Sequence, residues 1–263
     1  MKRHSRVRGP LRAVVFYGLV GACAGPAVAA EGMNPDADEI LRAMSRFLAA
    51  TPAFSMSADI GNEVLTEQGQ KLQFNSSATA VVQRPSRMHI TRQGRFADAE
   101  VFFDGKQLTL YGKTAKAYVQ KEVAGTLDTA LNVLEKGLGM GLPGGDLLIA
   151  DPYAALIAGV TSSGYHGIAY VGGVAAHHLA FRTPRVDWQI WVKEGNEPLP
   201  LKYVITTKWM TGAPQYSVQF SNWNTKPAIA ASRFSFVAPK DAVRLDALPV
   251  DEMGVVSAPQ GSK

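Results

Sequence analysis

The chain is almost without cysteine: of 263 residues only Cys23 carries a thiol, and it lies within the first thirty. That rules out an internal disulfide, and with it any centre built from several thiolates. Nor is there a basic surplus to serve nucleic acid, although the formal net charge is +5. Lys2, Arg3, Arg6, Arg8 and Arg12 supply all of it, no acid precedes Glu31, and the remainder balances 22 basic against 22 acidic residues. A nucleic-acid footprint and a polybasic membrane patch are therefore excluded on charge. Long apolar runs are missing too. Ala13 to Ala24 is short and interrupted by Gly18 and Gly21, so the mature chain is expected to have no transmembrane helix. Neither G-x-S-x-G, H-E-x-x-H nor a phosphate-binding loop occurs, and no set of nucleophile, base and orienting group stands out. The reading is of a protein that is not an enzyme and needs no cofactor.

What is present begins with an export signal. The basic residues through Arg12, the apolar stretch to Ala24 and the small-x-small pattern Ala27-Val28-Ala29 predict a signal peptide over residues 1–29, cleaved after Ala29 or Ala30, and a periplasmic product. Val20-Gly21-Ala22-Cys23 also loosely matches a lipobox, so the alternative is a lipoprotein anchored through Cys23.

From Asn34 the sequence spells a helix start, with a capping side chain, Pro35 in the first turn and acids against the dipole. Ile40, Leu41, Met44, Phe47 and Leu48 form one apolar stripe, and Pro52 ends it. The period then changes to two, and strands are expected near 54–60, 72–80, 87–91, 100–103, 107–111 and 117–120. Helical spacing returns over 126–158, carried by Leu127, Leu131, Leu134 and Leu138 and by a second start at Asp151-Pro152. Strands resume at 168–171, 177–182, 187–192, 201–208, 215–223 and 234–237, and residues 249–263 read as a disordered tail. Short connections favour an antiparallel meander. The expectation is a single α+β domain over 30–248, mainly β: a strongly curved antiparallel sheet or half-open barrel of about eleven strands, its concave face covered by the helices.

The hairpin around Thr183 to Val186 sets Arg182 opposite Asp187, Phe181 opposite Trp188, Leu179 opposite Ile190 and His178 opposite Trp191. His177 and His178 are neighbours on a strand and point to opposite faces, so they do not form a metal site. Gly139-Met140-Gly141-Leu142-Pro143-Gly144 has the letters of a dinucleotide fingerprint but follows a helical stripe, not a strand, and is read as a linker.

Five motifs in order carry a resemblance: His178-Leu179-Ala180-Phe181, Asp187 to Trp191, Pro198-Leu199-Pro200, Pro214-Gln215-Tyr216 and Phe234-Ser235-Phe236, with the Asn34-Pro35 helix ahead. Over roughly Asp36 to Leu245 the chain resembles a bacterial family of predicted periplasmic proteins with a domain of unknown function. More distantly it is similar to the LolA/LolB-like lipoprotein carriers. The resemblance implies an incomplete antiparallel barrel with a helical lid over a hydrophobic cavity, and a lipid or acyl chain as ligand. Periodicity nominates Phe54, Met56, Phe74, Met88, Phe102, Leu110, Trp188, Ile190, Tyr216 and Phe220 as its lining. The alternative is an envelope protein with a filled core that binds or senses a protein partner.

Overall fold

The computed structural model describes residues 32–247, apart from Phe96, Gly139, Gly141 and the side chain of Ala97. The expected signal peptide with Cys23 and the expected disordered tail from 249 lie outside the described residues.

Helix α1 spans Pro35–Ala50, capped by the Asn34 side chain, which accepts from the Ala37 amide at 2.9 Å. Its stripe of Ala37, Leu41, Met44 and Leu48 is fully buried. After Pro52 come six strands joined by tight turns: β1 (Ala53–Leu65), β2 (Lys71–Gln83), β3 (Arg87–Gly94), β4 (Ala97–Phe103), β5 (Gln107–Gly112) and β6 (Ala117–Glu122). The β4–β5 turn shows why they fold back so sharply. Asp104 Oδ1 accepts from the amides of Lys106 and Gln107, and Gly105 takes a positive φ that a side chain would resist.

The segment that follows was expected to hold two helices, and it is more broken than that. It contains α2 (Leu127–Asn132), a π-type turn at Val133–Gly137, a 3₁₀ turn at Gly145–Leu147 and α3 (Pro152–Ile157). Gly137, Pro143, Gly144 and Gly145 interrupt the helical spacing, and Gly144 takes a positive φ. Five more strands return: β7 (Ser162–Val171), β8 (Val174–Arg182), β9 (Val186–Lys193), β10 (Pro200–Thr207) and β11 (Gln215–Asn224). A 3₁₀ turn (Ala231–Phe234) and the short β12 (Val243–Arg244) close the described chain.

All twelve strands join one open, curved sheet in the order β12-β6-β5-β4-β3-β2-β1-β11-β10-β9-β8-β7, antiparallel except where β12 runs parallel to β6. β1 lies at the middle, flanked by β2 and β11. The helical segment carries the chain from one edge to the other, so the meander resumes at β7 and returns to the centre. The expected strand at 234–237 is corrected: Phe234 ends a 3₁₀ turn, and Phe236 is anchored on the aromatic rings of Phe102, Tyr111 and Tyr118. Alternating aromatics there signal anchoring against a sheet, not membership of it.

Candidate functional site

Strand registers decide which side chains share a face. Asn62 pairs with Phe74 and Tyr216, Ala58 with Ala78 and Phe220, Met56 with Ala80, and Phe54 with Val82, which in turn pairs with Met88. On the far side Tyr203 joins Val218 to Ile190, and Ile205 joins Tyr216 to Trp188. Met88, through Phe103, and Ile90, through Val101 and Leu110, continue the row on the near side. Phe54, Met56, Phe74, Met88, Leu110, Trp188, Ile190, Tyr216 and Phe220 thus stand on the helix-covered face.

Phe102 does not. It pairs with His89 and Thr109, stacks on the His89 ring at 4.2 Å and faces Phe236 on the opposite side of the sheet. The sequence places Phe102 and Phe103 side by side, and neighbours on a strand point apart; Phe103, fully buried, is the one that faces inward.

The covered face holds two apolar clusters. One gathers Leu41, Met44, Leu156, Trp188, Ile190, Tyr203, Tyr216 and Phe220 beneath α1 and α3. The other gathers Phe54, Met88, Val101, Leu110, Leu127 and Leu134 beneath α2. They meet along β1 and β2, at a line that includes the small inward residues Ala58, Ala78 and Ala80. At this seam Met56, Ala78, Ile90 and Trp223 are only half-buried, and Trp223 packs against both clusters. Its indole N–H donates to the Pro200 carbonyl at 3.0 Å, fixing the ring there.

The helical segment crosses the seam through Leu142 to Asp146. Tyr216 donates to the Pro143 carbonyl at 3.4 Å, and Gly144 lies over the Phe220 ring. Beneath this crossing the Tyr216 phenol is pushed up to about 12 by burial, and Tyr203 is raised in the same direction by burial and then by Asp146. Asp146 itself is pushed up to about 6, first by burial and then by the nearby Glu135 carboxylate. Arg84 pins the cover from outside the seam. Its guanidinium donates to the carbonyls of Leu48 at 3.2 Å, Leu148 at 2.7 Å and Ile149 at 2.9 Å, tying the end of α1 to the segment before α3. Desolvation lowers its pKa without threatening its charge. In sequence Arg84-Pro85 carries only a local turn signal, because a cation that binds four carbonyls from distant segments, Leu147 at 3.4 Å being the fourth, leaves no local pattern.

The hairpin pairs fall as the spacing predicts: His178 with Trp191, Leu179 with Ile190, Phe181 with Trp188 and Arg182 with Asp187. His177 and His178 diverge. The first hydrogen-bonds Tyr165 on the covered side, whereas the second lies flat on Trp191 at 4.3 Å and contacts Gln189 at 2.9 Å on the open side. Burial lowers the His178 pKa. Among the described residues no three His, Cys, Asp or Glu side chains gather as a metal site would require.

A family model for "Predicted periplasmic protein (DUF2092)" matches residues 37–248. The chain belongs to this family. Membership makes it a periplasmic protein, as the sequence leads one to expect. No curated protein matches it in sequence. Among solved structures it is similar to an uncharacterized conserved protein from Thermus thermophilus, with TM-score 0.46 and 11% identity over 80% of this chain and 99% of that one. LprF from Mycobacterium bovis gives TM-score 0.44 and 14% identity over 81% and 100%. A LolA superfamily protein from Nitrosomonas europaea gives 0.38 and 8% over 76% and 97%.

Proposed function

We propose that the protein is a carrier-like envelope component that takes the acyl chain of a lipid or lipoprotein between its helical cover and the sheet, with no catalytic step. The observation that carries this reading is the seam. Two well-packed clusters meet over small inward residues, and the apolar side chains at the meeting line keep exposed surface beneath a cover of short helical pieces. An acyl chain laid along Met56, Ala78, Ile90 and Trp223 would bury that surface, at about 25 cal/mol per Å² before the costs of association. The buried candidates Phe54, Met88, Leu110, Trp188, Ile190, Tyr216 and Phe220 would then form the walls behind the ligand, with Met56 and Phe74 nearer to it.

That same burial favours a second reading, in which the face is a finished core and the protein's work is to bind an envelope partner. cis-Parinaric acid titrated into delipidated protein separates the two. Saturable binding with energy transfer from tryptophan, lost when Ala78→Trp fills the seam of a protein that still unfolds cooperatively, is the expected result. Absence of saturable binding to the unaltered protein would leave the filled-core reading in place.

A further inference from the structure

The sheet's other face carries a feature that the acyl site does not use. A trough of about 550 Å³ crosses its centre, within the size range of small-ligand sites. One lateral ladder builds its length: Gln93 pairs with Ser77, Ser77 with Asp59, Asp59 with Gln219, and Gln219 with Lys202. These residues come from β3, β2, β1, β11 and β10, so a polar head recurs at each strand spacing of about 4.8 Å. A second row, Asn75, Gly61 and Ser217, runs alongside it.

The bare backbone of Gly61 lets the polar heads of two neighbours close onto it, since a Cβ there would lie 2.4 Å from Gln73 Nε2 and 2.9 Å from Ser217 Oγ. The turn between β7 and β8 approaches from one side, where a Cβ on Gly172 would lie 3.8 Å from Gln219 Nε2. At the far end Lys202 is held over the Trp191 ring, 5.2 Å from its centroid.

The chemistry of the lining is narrow. Gln73, Asn75, Gln93 and Gln219 each present an amide that both donates and accepts, and among the described residues none of these side chains is engaged in a protein hydrogen bond. Ser77 and Ser217 add hydroxyls, which donate to Asp59 at 3.0 Å and to the Gly61 carbonyl at 3.5 Å. One carboxylate and one ammonium leave no net charge to select an ion. The two apolar residues of the described lining, Ile60 and Val218, belong to the core cluster on the covered face, so the trough lacks the side-chain pockets that anchor peptides and lipids. Amides spaced by the sheet suit vicinal hydroxyls, which also donate and accept, and the strand spacing is close to the repeat of a linear glycan.

We propose that this trough is a binding site for an uncharged oligosaccharide, on the face opposite the acyl site and independent of it. Chitohexaose, cellohexaose and maltohexaose, each titrated into the ¹⁵N-labelled full mature protein, test it through the side-chain amide signals of Gln73, Asn75, Gln93 and Gln219. The expected result is a saturable shift of these signals with at least one of the three sugars. Asn75→Ala with Gln219→Ala should weaken binding about tenfold or more, since each lost amide removes hydrogen bonds to the sugar. Unfolding midpoint and cis-parinaric acid titration should be unchanged in that variant, which separates failure here from failure of the acyl reading. Silence with all three sugars, undiminished affinity in the double variant, or an equal response to an uncharged Gly-Ser hexapeptide would each overturn the proposal.

Discussion

The two wings of the sheet are covered in different ways. The wing from β4 to β6, with the His89 end of β3, is packed on both sides: Met88, Val101, Phe103 and Leu110 face α2 and the π-type turn, while Phe102, Tyr111 and Tyr118 on the other side receive Phe236. Even its polar groups are drawn in, for His89 is buried against Phe102 and contacts Glu100, which Lys113 also holds at 2.7 Å. The wing from β7 to β11 is packed against helices on one side only, and its other side holds just a small cluster of Val171, Ala176, Leu201 and Trp191. Trp188, Ile190, Tyr203 and Phe220 meet α1 and α3, whereas Gln189, Lys202, Gln215 and Gln219 face outward. A sheet with one wet face can present a binding surface there, and a sheet dry on both faces cannot.

The largest test of this contrast is Trp188→Ala. Its indole is 4% exposed, stacks on Phe181 at 4.0 Å and meets Tyr203 edge-on at 5.7 Å. Emptying that space should cost about 3 to 5 kcal/mol in equilibrium denaturation. A loss under about 1 kcal/mol would show that the covered side of the β7–β11 wing is not the core on which its open side depends.

The same contrast explains what the sequence made legible. In the one-sided wing, period-two alternation maps directly onto inside and outside, so the pairings of the 178–191 hairpin follow from spacing alone. In the two-sided wing the outward residues include Phe102, Tyr111 and Tyr118, and alternation no longer tells which aromatic is the inward one. Phe102 was nominated for the covered face for that reason. The seam was beyond local reading: it is made by Ala58, Ala78 and Trp223, whose meaning comes from which strands β1 neighbours. The joining of β1 to β11, separated by most of the chain, is a tertiary fact.

Asp146 offers a smaller effect of opposite sign. Folding raises its carboxyl from an ordinary 3.8 to about 6, so the native state binds this proton more tightly than the unfolded chain does. Its ionised form therefore costs stability above pH 6, and the cost shrinks as pH falls through 6 and disappears below 3.8. Asp146→Asn, which keeps the shape and removes the charge, should stabilise the protein by about 1 to 2 kcal/mol at about pH 7.5. The gain should fade by about pH 4. Unfolding midpoints of both proteins at the two pH values check it, and a gain equal at both would mean that the crossing segment does not desolvate this group.

The smallest expected effect lies on the open side of the β7–β11 wing. Arg182 Nε is 3.2 Å from Asp187 Oδ1, but the Arg182 side chain is 66% exposed and water screens the pair. Lys208 Nζ sits 2.8 Å from the same oxygen, so removal of Arg182 leaves the carboxylate with a partner. Arg182→Ala should then change stability by less than about 0.5 kcal/mol. If denaturation instead shows a loss above about 1 kcal/mol, the outward side of this wing is not the freely solvated surface that sets it apart from the other, and the distinction between a one-sided and a two-sided wing fails at the hairpin where the sequence made it plainest.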